Sequence, residues 1–192
     1  MKKIVIINGH PKKDSFCNVL CDTYKAAANA SGNEVVLINL YELKFNLDLQ
    51  NGFSGSEELE PDIIFAQEKI KWAQHIVIVH PVWWGSVPAL LKGFFDRTLL
   101  PGFAFKYREN SVMWDKLLAG KTGRIIYTTD TPVWIYKYFF MAPSVNQIKN
   151  RTLEFCGVAP VKVTAIGPIR KSTSEFRQKW IEKVEILGKD AS

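Results

Sequence analysis

Three short stretches of this chain carry the residue types that binding chemistry needs, and each follows a run of aliphatic residues. The first is His10-Pro11-Lys12-Lys13-Asp14-Ser15. Lysines and a hydroxyl at the start of a helical pattern suit a phosphate, because the first N–H groups of a helix lack partners and its dipole is positive there. The same residues also read as a simple cap, with Asp14 or Ser15 closing the helix and the lysines solvated. The second stretch is Pro81-Val82-Trp83-Trp84-Gly85-Ser86-Val87-Pro88. Two indoles beside a glycine and a serine suit a flat, aromatic, hydrogen-bonding ligand, or else a loop whose tryptophans cover the core. The third, Thr128-Thr129-Asp130-Thr131, is a polar turn rich in hydroxyls. Gln67 is a further candidate, since it falls on the apolar stripe of Ile63, Ile70 and Ala73. A glutamine there must find a partner, either in a nearby loop backbone or in a ligand.

Other chemistries find little support. Cys17 and Cys21 sit one helical turn apart but lack two further ligands at a metal-site spacing. Ser86 has no Gly-x-Ser-x-Gly elbow around it. His75 and His80 flank a strand and read as an edge residue and a loop anchor. The glycine-rich dinucleotide fingerprint and the P-loop are both absent. A net charge of +6 favours an anionic partner. The basic residues are scattered, without a run or an RNA-reading motif, so a phosphate-bearing small molecule fits better than nucleic acid. No segment approaches the ~20 apolar residues of a membrane span. The opening run Ile4 to Ile7 is too short for a secretory signal, and three cysteines make no disulfide framework, which points to the cytoplasm.

The elements that must position these stretches follow from periodicity. Strands are expected at Lys3 to Asn8, Glu34 to Ile38, Ile76 to Val79, Arg124 to Thr129 and Pro160 to Ile166. The β-branched run Ile76-Val77-Ile78-Val79 reads as a strand buried on both faces, ended by Pro81. Pro88 suits the first turn of a helix, with Ser86 as its cap. Other helices are expected with Phe16, Leu20, Tyr24 and Ala27 on one face, over Pro61 to Gln74, and with Val145, Ile148, Thr152 and Phe155 on one face. A capping box, Ser172-x-x-Glu175, opens the last helix, with Phe176, Trp180, Val184 and Leu187 on its core stripe. Tyr41 to Pro61 and Thr98 to Lys121 read as long irregular connections. The aromatic segment Trp134 to Phe140 suits a subunit interface.

Five strands alternating with five helices predict an α/β fold: one domain over residues 1–192, a doubly wound parallel sheet with helices on both faces. The three polar or aromatic stretches then share one edge of the sheet, around its switch point, where ligands bind. A phosphate turn, an aromatic loop and a threonine turn converging there describe a flavin site.

On these residues the chain resembles the flavodoxin-like NAD(P)H:quinone oxidoreductases, whose shorter members include general stress proteins, modulators of drug activity and ancillary flavoproteins of potassium-efflux systems. The matching pieces run in order through most of the chain: Gly9-His10-Pro11 with Ser15-Phe16, Leu40-Tyr41 with Phe45-Asn46, Pro81-x-x-Trp84-x-x-x-Pro88-Ala89-x-Leu91-Lys92-Gly93, Asp96-Arg97 with Gly102-Phe103-Ala104 and Tyr107, and Thr128-Thr129. The central proline–tryptophan–lysine–glycine string is the specific part.

The resemblance implies a flavin-dependent reductase that passes hydride from NAD(P)H to quinones or similar aromatic acceptors, as a homodimer. It implies that His10, Ser15, Phe16 and Cys17 form the phosphate and ribityl loop, and that Gln67 reaches the flavin chain. Pro81, Val82, Trp83, Trp84 and Gly85 would hold the isoalloxazine, with Trp84 against it and backbone N–H groups serving N5 and O4. Thr128, Thr129, Asp130 and Thr131 would line the N1 and O2 side. Tyr136 falls where quinone reductases carry a tyrosine near the acceptor, which makes it the catalytic candidate. Asp130-Thr131 replaces the paired glycines of the family, Ala142 stands where a histidine is expected, and the C-terminal extension of the FAD-binding members is missing. The first two departures speak against a tyrosine–histidine relay, and the third favours FMN over FAD. Two rival roles are a regulatory subunit docked on a potassium-efflux transporter and a flavodoxin-type electron carrier. Such carriers tend to be acidic, against a pI of about 9.2 here.

Overall fold

The computed structural model describes residues 1–49, 52 and 58–191. Part of the expected connection between Tyr41 and Pro61, including Ser54, Gly55 and Ser56, lies outside the described residues. The main sheet holds β1 (Lys3–Asn8), β2 (Glu34–Asn39), β3 (His75–Pro81), β6 (Thr122–Thr128) and β7 (Val161–Ile166), in the order β2-β1-β3-β6-β7. All four pairings are parallel. This is the doubly wound arrangement the strand–helix alternation predicted, in the flavodoxin-like strand order that the resemblance implied. β3 lies at its centre with every residue buried, as a run of β-branched residues requires.

Side chains alternate across the sheet with a period of two. Ile4, Ile6, Val77 and Val79 enter one core with Leu20, Tyr24 and Val184, from α1 (Phe16–Ala30) and α7 (Ser174–Asp190). Val5, Ile7, Ile76 and Ile78 enter the other with Ile63, Leu91 and Phe94, from α2 (Pro61–Trp72) and α3 (Ala89–Thr98). α1 and α7 cross closely at Gly188, where an added Cβ would meet the Tyr24 carbonyl oxygen at 2.6 Å.

Several expectations need correction. Ser86 does not cap α3; Pro88 holds the N-cap position without a side-chain bond, and the Ser86 hydroxyl donates instead to Gln147 Oε1 at 2.8 Å. The last helix starts one residue later than the Ser172 box implies. Thr173 accepts from Phe176 N at 3.2 Å, while Ser172 Oγ donates to the Ile169 carbonyl and accepts from Arg177 Nε. The connection after α3 contains a small antiparallel hairpin, β4 (Phe105–Tyr107) and β5 (Trp114–Lys116). Strands of three residues are too short to show a period.

The aromatic segment forms a short α4 (Val133–Tyr138). The next helix begins as α5 (Pro143–Val145), passes through a π-helical stretch, Asn146–Leu153, and ends as α6 (Glu154–Cys156). Its i→i+5 bonding shifts the buried face: Ile148 is followed inward by Leu153, five residues on, in place of Thr152.

Candidate functional site

The carboxyl ends of β1, β3, β6 and β7 open onto one cleft of about 250 Å³, lined by His10, Lys12, Asp14, Ser15, Phe16, Cys17, Pro81, Val82, Trp83, Thr128, Thr129, Asp130 and Ile169. It stands at the switch point, because β1 leads outward to β2 while β3 returns on its other side.

The first wall is the turn between β1 and α1. Ser15 caps α1, its Oγ accepting from Asn18 N at 3.2 Å. The N–H groups of Phe16 and Cys17, at the first positions of α1, find no carbonyl partner, as helix geometry dictates. Lys12 adds a positive charge on the rim. His10 turns its Nδ1 inward to accept from Lys12 N at 3.0 Å, so the neutral ring carries its proton on Nε2. Burial, more than the nearby Lys12 charge, keeps its pKa below the usual histidine value. A neutral donor, unpartnered amides, a hydroxyl and an ammonium make an anion seat, with the exposed Asp14 as an opposing charge at its edge.

The second wall is the aromatic turn. Trp83 N–H donates to the Ser86 carbonyl at 3.1 Å and Ser86 N–H returns to Trp83 at 2.9 Å. Trp84 and Gly85 sit between them with φ of 51° and 73°, the backbone of a type I′ turn. The structure places the two indoles differently. The Trp84 indole points away from the chain, fully exposed at 104%, and Trp83 lines the cleft instead, its ring edge-on to His10 at 5.7 Å. The turn also reassigns the backbone donors. Val82 N–H is used by the Thr128 carbonyl at 2.7 Å and Trp83 N–H by the turn itself, which leaves those of Trp84 and Gly85. A bulky residue at positive φ is strained backbone of the kind found where a ligand is clamped.

The third wall is the threonine turn. Thr128 Oγ1 lies 3.5 Å from Cys17 Sγ across the cleft floor. Burial pushes the Cys17 thiol up to about 12, so it lines the cleft as a neutral, unreactive group. Thr129 Oγ1 accepts from Thr131 N at 3.1 Å and Asp130 Oδ1 accepts from Arg170 N at 2.8 Å; Thr131 itself does not line the cleft. Ile169, which periodicity did not single out, lines the cleft from the loop after β7. Its position just beyond the last strand was the available signal, since that strand neighbours the one ending in Thr128.

Two candidates stand elsewhere. Gln67 Nε2 donates to the Thr98 carbonyl at 2.9 Å, the backbone alternative for a glutamine on an apolar stripe, and does not line the cleft. Tyr136 is 1% exposed, beneath the aromatic turn. Its hydroxyl donates to the Gly85 carbonyl at 3.0 Å, accepts from Ser144 N at 3.0 Å and lies 2.7 Å from Ser144 Oγ. One phenol proton and its lone pairs are thereby committed within the protein, and Tyr136 stands outside the cleft lining as a support of the turn.

Beside the cleft, and sharing Asp14, Ser15 and Phe16 with it, a second hollow of about 420 Å³ is lined by Lys13, Asn18, Val19 and Arg177. The Arg177 guanidinium stacks over Phe16, 5.7 Å from the ring centre.

Comparison with known proteins finds relatives of the same fold. The sequence profile of the family described by its flavodoxin-like fold matches residues 2–185. An uncharacterized NAD(P)H oxidoreductase of Haemophilus influenzae is 31% identical over 185 residues, 93% of this chain and 90% of the relative. NAD(P)H dehydrogenase (quinone) 1 of Rattus norvegicus is 28% identical over 220 residues, covering 100% of this chain and 79% of that protein. The solved NAD(P)H:quinone oxidoreductase from Methanothermobacter marburgensis superposes with a TM-score of 0.83 at 20% identity, over 100% of this chain and 99% of that one.

Proposed function

Since this chain belongs to the flavodoxin-like fold family, we propose that it is a flavin-dependent NAD(P)H:quinone oxidoreductase, with the cleft as its cofactor site. The observation that carries the reading is the meeting of an anion seat, an aromatic wall and a hydroxyl-rich wall at the carboxyl edge of the sheet. A flavin has a phosphate, a flat ring system and a polar ring edge, and these three walls match it part for part. FMN is the cofactor proposed, because one phosphate suffices for the Ser15, Phe16 and Cys17 seat. The adjoining hollow with Lys13 and Arg177 favours a second reading, FAD, whose additional phosphate and adenine have room and cations there.

When bound, a flavin would supply the redox chemistry, hydride transfer between NAD(P)H and a quinone or similar aromatic acceptor. The chain's own residues hold and orient it. Ser15 Oγ–H, the Phe16 and Cys17 N–H groups and His10 Nε2–H would donate to the phosphate, and Lys12 would offset its charge. Trp83, Phe16, Pro81 and Ile169 exclude water from the ring. The free N–H groups of Trp84 and Gly85 serve one polar ring edge, and Thr128 with its neighbours serves the other.

The reading extends to a cytoplasmic homodimer with the cleft near the interface. Trp84 and, in the neighbouring segment, Trp134, Tyr138, Phe139, Phe140 and Met141 are exposed, and the Tyr136 hydroxyl joins that segment to the turn through the Gly85 carbonyl. Among the described residues no helix is long and apolar enough to cross a membrane. Mass and absorption spectra of the cofactor released from purified protein test the proposal. A yellow protein releasing FMN and oxidising NAD(P)H with a quinone is expected. A colourless protein that gains no thermal stability from added FMN or FAD overturns it.

A further inference from the structure

The aromatic turn is held from beneath by two side chains that do not line the cleft. Val82 N–H points toward β6, so across its trans peptide the Pro81 carbonyl points the other way, to the side where β1 has already ended. Gly9 N–H makes the last ladder bond there, to Val79, and His10 N–H is taken by Asn8 Oδ1 at 3.2 Å. A buried carbonyl left without a donor is costly. His80 supplies the donor: its Nδ1 lies 2.9 Å from the Pro81 oxygen. A carbonyl only accepts, so the proton sits on Nδ1, and Nε2 is left buried without a partner. Leucine would avoid that orphan nitrogen, so its presence marks a demand placed on Pro81. The His80 ring stacks on Tyr127, Tyr127 packs on Tyr136, and the Tyr136 hydroxyl takes the Gly85 carbonyl at the far end of the turn.

We propose that His80 and Tyr136 are positioning residues for the cofactor: by tethering the Pro81 and Gly85 carbonyls from the core side, they fix the turn so that its free Trp84 and Gly85 N–H groups meet the flavin in one orientation. This rests on the flavin reading above. Burial keeps His80 neutral, with a pKa of about 4, so the Nδ1–H tether persists across the working pH range. A hydrogen bond to the flavin ring edge that differs in strength between oxidised and reduced cofactor shifts the cofactor's potential. Loosening the turn therefore alters that potential without removing any group that touches the ring.

The test uses His80→Leu, His80→Asn and Tyr136→Phe in the full chain. Asn keeps a nitrogen donor close to the Nδ1 position; Leu does not. Amide hydrogen exchange on the flavin-free protein reads the tether alone. Exchange at Trp83 and Ser86 is expected to quicken roughly tenfold in His80→Leu and Tyr136→Phe, the loss of about one hydrogen bond, and to stay unchanged in His80→Asn. With flavin bound, the first two variants are expected to change the ratio of affinities for reduced and oxidised cofactor, read as a shift in midpoint potential and in the visible spectrum, and His80→Asn to restore both. Unchanged exchange in the first two variants, or His80→Asn behaving as His80→Leu does, overturns the tether. Faster exchange with an unmoved potential overturns the positioning role. Should His80→Leu fail to fold, Tyr136→Phe, which keeps its buried ring, decides by the same two measurements. Unmodified protein that binds no flavin overturns the cofactor reading and the positioning role with it, while the exchange data still decide the tether.

Discussion

Ser15 and Gln67 are both polar residues at helix positions, and the structure gives them opposite consequences. Ser15 caps α1 and faces the cleft, so Ser15→Ala is expected to weaken flavin binding by roughly tenfold, since a hydrogen bond to a charged group is worth about 1.5–3 kcal/mol. Gln67→Leu is expected to leave flavin affinity unchanged, because its amide goes to Thr98 O. Titration of the flavin-free variants by fluorescence quenching measures both, and weakened binding in Gln67→Leu would return that residue to the site. The buried histidines make a prediction about acid. Burial lowers both His75 and His80 from 6.5 to about 4. Each contributes stability that is fully present above pH 6.5 and lost as pH falls toward 4, because the unfolded chain takes up protons that the folded one refuses. By pH 5 the loss is on the order of 2 kcal/mol per histidine. Denaturant melts between pH 7 and 5 should show it, and His75→Gln should flatten the slope. A stability that stays level across that range would mean the rings titrate normally. Residue types pointed to the anion seat, yet Tyr136 and Trp84 were legible only as aromatics beside a ligand loop. Which of three indoles and phenols faces the ligand is a matter of φ and burial, and neither is written in residue type.

At the scale of elements, α1 and α7 depend on one glycine. A Cβ at Gly188 would stand 2.6 Å from the Tyr24 oxygen and 3.0 Å from the Ala27 Cβ, both on a rigid helix. Gly188→Ala is therefore expected to destabilise by about 1–3 kcal/mol through overpacking. That corresponds to a melting temperature lower by roughly 2–12 °C for a chain of this size. Calorimetry checks it, and an unchanged melting temperature would mean that the helices part without cost. The five sheet strands were legible because burial on both faces demands β-branched runs bounded by turns. The β4–β5 hairpin was not, since three-residue strands show no period and draw stability from contacts such as Trp114 Nε1 to the Phe155 carbonyl at 2.9 Å. The π-helical stretch escaped for a related reason: periodicity analysis assumes 3.6 residues per turn.

For the whole molecule, the exposed aromatics Trp84, Trp134, Tyr138, Phe139 and Phe140 predict association through the surface they occupy. Sedimentation at micromolar concentration is expected to give a dimer, and Phe139→Ser with Phe140→Ser to give a monomer whose melting temperature no longer depends on protein concentration. A monomeric unmodified protein would leave that surface to another partner. The order of strands and helices, and so the edge on which the phosphate turn, the aromatic loop and the threonine turn must meet, was determined by the sequence alone, because alternating strand and helix patterns with right-handed crossovers admit few topologies. Hydrogen-bond assignment belonged to the tertiary structure. It sent Gln67 to Thr98, Ser86 to Gln147 and Tyr136 to Gly85, and gave His80 the carbonyl that β1 leaves unpaired. Each of those partners is distant in sequence or depends on where a neighbouring strand stops, and a donor's choice among partners is settled only when packing has brought them within 3 Å or so.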